Sequence, residues 1–245
     1  MNTKTARMCL LALLCALSYG VVAVGRIPVV MFLSYDPKDI VIALGGFIVG
    51  PVGAVVVSLI VALLEMITIS STGPIGMLMN FLSSASFAGV AALIYRRRHT
   101  LGGAVLGLLC GVCGMTVLML LWNYLVTPIY MGFPRAAVAE MLIPVFLPFN
   151  LLKGGLNAAF TMLLYKPFRR VLARARLAAP ENKSYADLSK GGAHPAASSA
   201  RLTPGAEAIA RDSRRAAWIR FLVPALSLVC IAVGILLILI WRGIL

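Results

Sequence analysis

Apolar residues fall along this chain in long unbroken blocks, not in the two-residue alternation of half-buried strands. Seven blocks can be drawn, at about 8–32, 40–49, 52–69, 75–95, 101–126, 143–165 and 219–241. The first carries Arg26 and Pro28 near its far end, and the second is short, as if tilted or half-inserted. The third and fourth begin after Gly50-Pro51 and Gly73-Pro74. Each long block has about 18 or more residues, the span of a hydrocarbon core about 30 Å thick. The first 25 residues look like a secretory signal, with Lys4 and Arg7 ahead of an apolar run. That run continues past Gly20 to Val24 without a small-residue cleavage motif, which predicts a retained first helix.

The expected fold is therefore an all-α membrane protein in three parts. Residues 1–171 form a helical membrane bundle. Residues 172–217, rich in small and polar side chains, read as a basic, mostly disordered cytoplasmic linker. Residues 218–245 add a seventh, C-terminal transmembrane helix. Composition agrees: 61% of residues are hydrophobic, 12% are charged and the mean hydropathy is +0.97, against about 25% charged residues in soluble domains.

A net charge of +14 invites a nucleic-acid reading, but the positions of the charges exclude it. Basic residues gather between apolar runs, at Arg96 to Arg98 and from Lys166 onward. The outer loops carry only Arg26, Lys38 and Arg135. This asymmetry predicts a cytoplasmic N-terminus and, after seven crossings, a C-terminus outside. The five cysteines lie in apolar helices, and Cys110-Gly-Val-Cys113 has no second ligand pair, so neither a disulfide framework nor a metal site is expected. No metalloprotease, serine-hydrolase or P-loop motif is present, so an enzyme is not expected, nor a cofactor. His99, beside three arginines, reads as a solvated loop residue, and His194 as plain linker.

Against this apolar background a few polar side chains stand out. Lys153 lies in the middle of the sixth block, where an ammonium costs roughly 2.5–3.5 kcal/mol on insertion scales. Asn150, Lys153, Asn157 and Thr161 are spaced by 3, 4 and 4, so they share one helix face, and that face must turn away from lipid. They either staple helices together or line a binding cavity; two amides and an ammonium on one stripe favour the cavity. Glu65, the acid within the third block, is the expected counter-charge. Asn80 with Ser83 and Ser84, and Asn123, are further companions, while Trp122, Tyr124 and Tyr130 either form an interfacial aromatic belt or stack on a ligand. Amides, an ammonium and aromatic faces together suit a flat, largely neutral heterocycle with an edge of alternating carbonyls and N–H groups. Ala12, Ala16 and Gly20 form a small-residue ridge, suited to packing within the bundle or to docking a separate membrane subunit.

Several blocks of residues resemble the substrate-binding S component of energy-coupling-factor (ECF) vitamin transporters, in particular the riboflavin-specific type. They are Tyr35-Asp36-Pro37-Lys38-Asp39-Ile40, Gly45-Gly46-Phe47 with Gly50-Pro51, Trp122-Asn123-Tyr124, Pro128-Ile129-Tyr130-Met131 and Asn150-Leu151-Leu152-Lys153-Gly154. The resemblance covers about residues 8–168. It implies a six-helix bundle with an outward-opening vitamin site, partnered by a membrane T component and two cytoplasmic ABC ATPases that supply ATP hydrolysis. It further implies that Asn123, Asn150 and Lys153 hydrogen-bond riboflavin, and that Ala12 and Ala16 dock the T component. The linker and seventh helix are additions to that unit. An S component for another vitamin and a non-transporting membrane scaffold are the competing readings.

Overall fold

A computed structural model describes residues 3–70, 72–174 and, near the C-terminus, residues 225, 228, 229, 231–233 and 235. The bundle is built from α1 (Thr3–Gly25), a hairpin of β1 (Ile27–Val30) and β2 (Leu33–Tyr35), α2 (Lys38–Val49), α3 (Pro51–Thr68), α4 (Gly73–Arg97), α5 (Leu101–Met131), α6 (Arg135–Met141) and α7 (Leu147–Arg174). A π-helical turn, Leu142–Phe146, joins the last two. Five of these stretches are long and apolar enough to cross a membrane: α1, α3, α4, α5, and α6 with α7 as one. The twelve-residue α2 packs among α1, α3, α4 and α7. The all-α membrane bundle expected from the apolar blocks is thus present. The described residues of the C-terminal block are helical, and Ile231 is buried against Leu156, Ala159 and Tyr35. The linker lies outside the described residues from 175 on.

The first block departs from expectation. It is not one helix to residue 32, because α1 stops at Gly25. Pro28 has no amide hydrogen and pushes the residue before it toward extended backbone. Ile27, Val29 and Val30 are β-branched and suit a strand. The chain turns at Met31 (φ 50°) and returns antiparallel, pairing Ile27 with Tyr35. The hairpin therefore delivers Asp36 and Pro37 directly to the start of α2.

Prolines also explain the break before α7. Pro144 cannot donate to the helical ladder, and the amide of Leu147 reaches back five residues to the carbonyl of Leu142. The polar stripe begins one turn later, at Asn150.

The central core joins Phe87, Ala88 and Ala91 of α4 to Ala104, Leu108 and Met115 of α5. Glycines set that approach. A Cβ at Gly107 would lie 2.7 Å from the carbonyl oxygen of Ala91, and one at Gly111 would lie 2.6 Å from that of Phe87. Backbone cannot retreat as a flexible side chain can. Gly111→Leu is expected to lower stability by at least the roughly 1–3 kcal/mol of ordinary overpacking, read as a fall in the melting temperature of the detergent-solubilised protein.

Candidate functional site

The residues at the hairpin–α2 junction are buried, although each is charged. Asp36, Lys38 and Asp39 are at most 1% exposed. Asp36 accepts a hydrogen bond from Lys153 Nζ at 3.1 Å through Oδ2, while its Oδ1 lies 3.5 Å from Arg26 Nε. Lys38 Nζ donates to Glu65 Oε1 at 2.5 Å, and Asn80 Nδ2 donates to Glu65 Oε2 at 3.1 Å. Asp39 accepts from Ser84 Oγ at 2.5 Å and from Asn157 Nδ2 at 3.2 Å. The network holds three cations (Arg26, Lys38, Lys153) and three anions (Asp36, Asp39, Glu65), so its formal charge is zero.

Two expectations are corrected by this geometry. Glu65 is not the counter-charge of Lys153. It is held by Lys38 and Asn80, and Asp36 neutralises Lys153 instead. Lys38, expected in an outer loop, is among the most deeply buried side chains of the bundle. Asp36 lies between β2 and α2, outside the spanning helices. Burial alone would raise its pKa, but Lys153, Lys38 and Arg26 together hold it below its ordinary value, so it is a carboxylate.

The stripe on α7 turns inward as its spacing requires. Asn150, Lys153, Asn157 and Thr161 are all buried. Asn150 Nδ2 bonds to the carbonyl of Phe146 at 2.7 Å and Thr161 Oγ1 to that of Asn157 at 2.6 Å. On α5, Asn123 Nδ2 donates to Met119 O at 2.7 Å, and its Oδ1 accepts from Thr127 at 3.0 Å.

Of the seven residues expected to bind a ligand (Glu65, Asn80, Asn123, Tyr130, Asn150, Lys153 and Asn157), four converge on one cleft. Asn80, Asn123, Asn150 and Lys153 line it, together with Arg26, Asp36 and Ser83. Phe32, Leu33, Met79, Met119 and Phe149 supply its apolar walls. It is narrow, with a cavity volume of about 20 Å³, roughly the room for one water. Glu65 and Asn157 sit behind it and brace its lining. Tyr130 lines an adjoining, equally narrow apolar cleft with Trp122 and Thr127, in edge contact with Phe32, and Phe32 and Met79 are shared between the two. Arg26 Nη1, Asp36 Oδ1 and Ser83 Oγ are buried without a hydrogen-bond partner. Each is costly to leave unpaired, so these atoms are open to a water or a ligand group. The cleft therefore offers donors and acceptors in pairs between apolar walls, the lining suited to a flat polar-edged molecule.

Reading the sequence alone missed Asp36, Lys38 and Asp39 as interior residues. The signal available was the run Asp-Pro-Lys-Asp followed at once by an apolar helix, which puts charge at a first helical turn. On α1, Ala12, Ala16 and Gly20 are exposed, beside the exposed Leu13 and Leu17. The ridge thus lies on the outside of the described bundle.

A family model described as "ECF transporter, substrate-specific component" matches residues 6–165. The chain is 30% identical over 149 residues to the riboflavin transporter RibU of Staphylococcus aureus, covering 58% of this chain and 78% of that one. It is 27% identical over 184 residues to the riboflavin transporter RibU of Streptococcus thermophilus, covering 70% and 87%. The solved S component of a bacterial ECF transporter superposes with a TM-score of 0.60 at 27% identity, over 69% of this chain and 99% of that one.

Replacing one member of a buried ion pair strands the other. Lys38→Met and Glu65→Leu are each expected to destabilise the protein by about 3–5 kcal/mol, and the two changes together by much less. Thermal unfolding of the two single variants and the double variant measures the coupling.

Proposed function

The chain belongs to the substrate-specific components of ECF transporters, and from that premise we propose that it binds riboflavin in the Asn80–Asn123–Asn150–Lys153 cleft and delivers it across the cytoplasmic membrane. The observation that carries the reading is the convergence of three amides and an ammonium, from α4, α5 and α7, on one cleft with orphaned buried polar atoms. The similar riboflavin transporters support the choice of vitamin.

Lys153 has a defined part in this reading. Its charge is balanced by Asp36, so a neutral flavin need not neutralise it. An ammonium has three N–H donors, and the bond to Asp36 uses one. The others can meet carbonyl or hydroxyl oxygens of the ligand. Asn123 and Asn150 supply further donors and acceptors, while Phe32, Phe149 and the two methionines sandwich the ring system. The cleft is narrow, so entry requires the hairpin and its Phe32 to move. Tyr130 and Trp122 then flank the approach, rather than the polar edge.

The remaining machine is assigned in the same way. A membrane T component docks on the exposed Ala12–Ala16–Gly20 ridge, where small residues let helices approach closely. Two cytoplasmic ABC ATPases supply the energy. The basic ends of α4 and α7 face the cytoplasm, which puts the N-terminus inside and, with a seventh crossing, the C-terminus outside.

Purified protein is expected to quench riboflavin fluorescence on binding. Asn123→Ala and Asn150→Ala should each weaken that binding about five- to tenfold, for the loss of a neutral hydrogen bond. Folded protein without flavin affinity would refute the reading, and a thermal-shift panel of other vitamins would then identify the substrate. Ala16→Leu should leave flavin binding intact while lowering uptake by cells, because it obstructs the docking ridge without touching the cleft.

A further inference from the structure

The end of the bundle opposite the cleft carries a second concavity. It lies where the start of α1, the α2–α3 junction and the end of α4 meet, and it has a cavity volume of about 340 Å³, open on one side. Three basic side chains line it: Arg7 from α1, Arg96 from α4, and His99 just beyond α4. No carboxylate does. Arg7 Nη2 donates to the carbonyl of Val49 at 3.3 Å, which draws its guanidinium across the opening. Neither Arg7 nor Arg96 has an ion-pair partner among the described residues. The first turn of α3 forms part of the same wall, and no side chain caps its amides.

Apart from Tyr95, the rest of the lining is apolar or glycine. Phe47, Val49, Pro51 and the largely exposed Val52 face the opening beside the arginines. Cationic and apolar surfaces therefore meet at one point on the edge of the membrane-spanning region. That combination matches an anionic amphiphile, its phosphate at the guanidinium groups and its glycerol and upper acyl chain along the apolar wall. Basic pockets between transmembrane helices are a recurrent way to hold lipid head groups, and two guanidinium forks are suited to phosphate oxygens.

We propose that this concavity is a binding site for a phosphate-bearing anion, with Arg7 and Arg96 as its ligands and the head group of an anionic phospholipid as its occupant. The site is separate from the riboflavin cleft, and its test does not depend on that reading.

The full chain in a neutral detergent can be titrated with phosphatidylglycerol or phosphatidylcholine and examined by native mass spectrometry. The wild type is expected to retain phosphatidylglycerol preferentially. Arg7→Gln with Arg96→Gln should reduce that preference about thirtyfold, at about fivefold for each basic side chain near an anionic head group. Arg97→Gln with Arg98→Gln removes the same charge from arginines outside the concavity and should reduce the preference clearly less than the first pair does. Melting temperature and gel-filtration profile report whether each variant is folded; if the glutamine pair is unfolded, Arg7→Lys with Arg96→Lys takes its place, with an intermediate loss expected. Glycerol phosphate added in excess separates the two sources of the anion. Displacement of the lipid assigns the site to the phosphate group alone, and its failure assigns it to the intact lipid. Equal retention of the two lipids by the wild type, or an unchanged preference in the folded glutamine variant, would overturn the proposal.

Discussion

Removing an ion from water without compensation costs several kcal/mol, and this bundle buries five charged side chains and half-buries a sixth within one small region. The arrangement is stable only if each has partners, and the partners come from different elements. Asp36 brings the hairpin to α7 and to the end of α1. Lys38 ties the first turn of α2 to α3, and Asn80 extends that link to α4. Asp39 has no cation in direct contact among the described residues and is instead satisfied by Ser84 of α4 and Asn157 of α7. Three-dimensional order around the cleft follows from this requirement. Shifting any one of these helices by a turn would leave a buried charge unmatched.

The apolar packing is complementary. Across α4 and α5 the contact is backbone against backbone, made possible by Gly107 and Gly111, and it has little tolerance for change. On α1, by contrast, the small residues face outward and Gly20 has nothing near its missing Cβ. The same residue type thus closes one interface and leaves another available. The distinction is one of placement around the helix axis, which spacing alone does not convey.

Much of this was legible in the sequence, and the parts that were not share a cause. The spanning helices could be read because a membrane demands a length of apolar chain that little else requires. The inward stripe on α7 could be read because Asn150, Lys153, Asn157 and Thr161 keep helical spacing, and lipid cannot satisfy them. The partner of Lys153 could not. Glu65 was the acid within a long apolar block, whereas Asp36 stood between blocks and looked solvated. Hydropathy registers how apolar a neighbourhood is along the chain, but burial depends on what folds over it. The hairpin at residues 27–35, which begins inside the first apolar block, turns a supposed loop into interior. Periodicity along one helix locates a site's lining; pairing between distant elements requires the fold.

The neutrality of the charge network has an electrical consequence. Carrying one elementary charge through a membrane potential of 100 mV changes the energy by about 2.3 kcal/mol. Arg26, Lys38 and Lys153 are offset one for one by Asp36, Asp39 and Glu65. A bundle that reorients in the bilayer with this network intact, and with an uncharged ligand in its cleft, moves no net charge from that region across the field. The network therefore adds no voltage dependence to that movement, which can come only from charges outside it, such as the arginines at the end of α4.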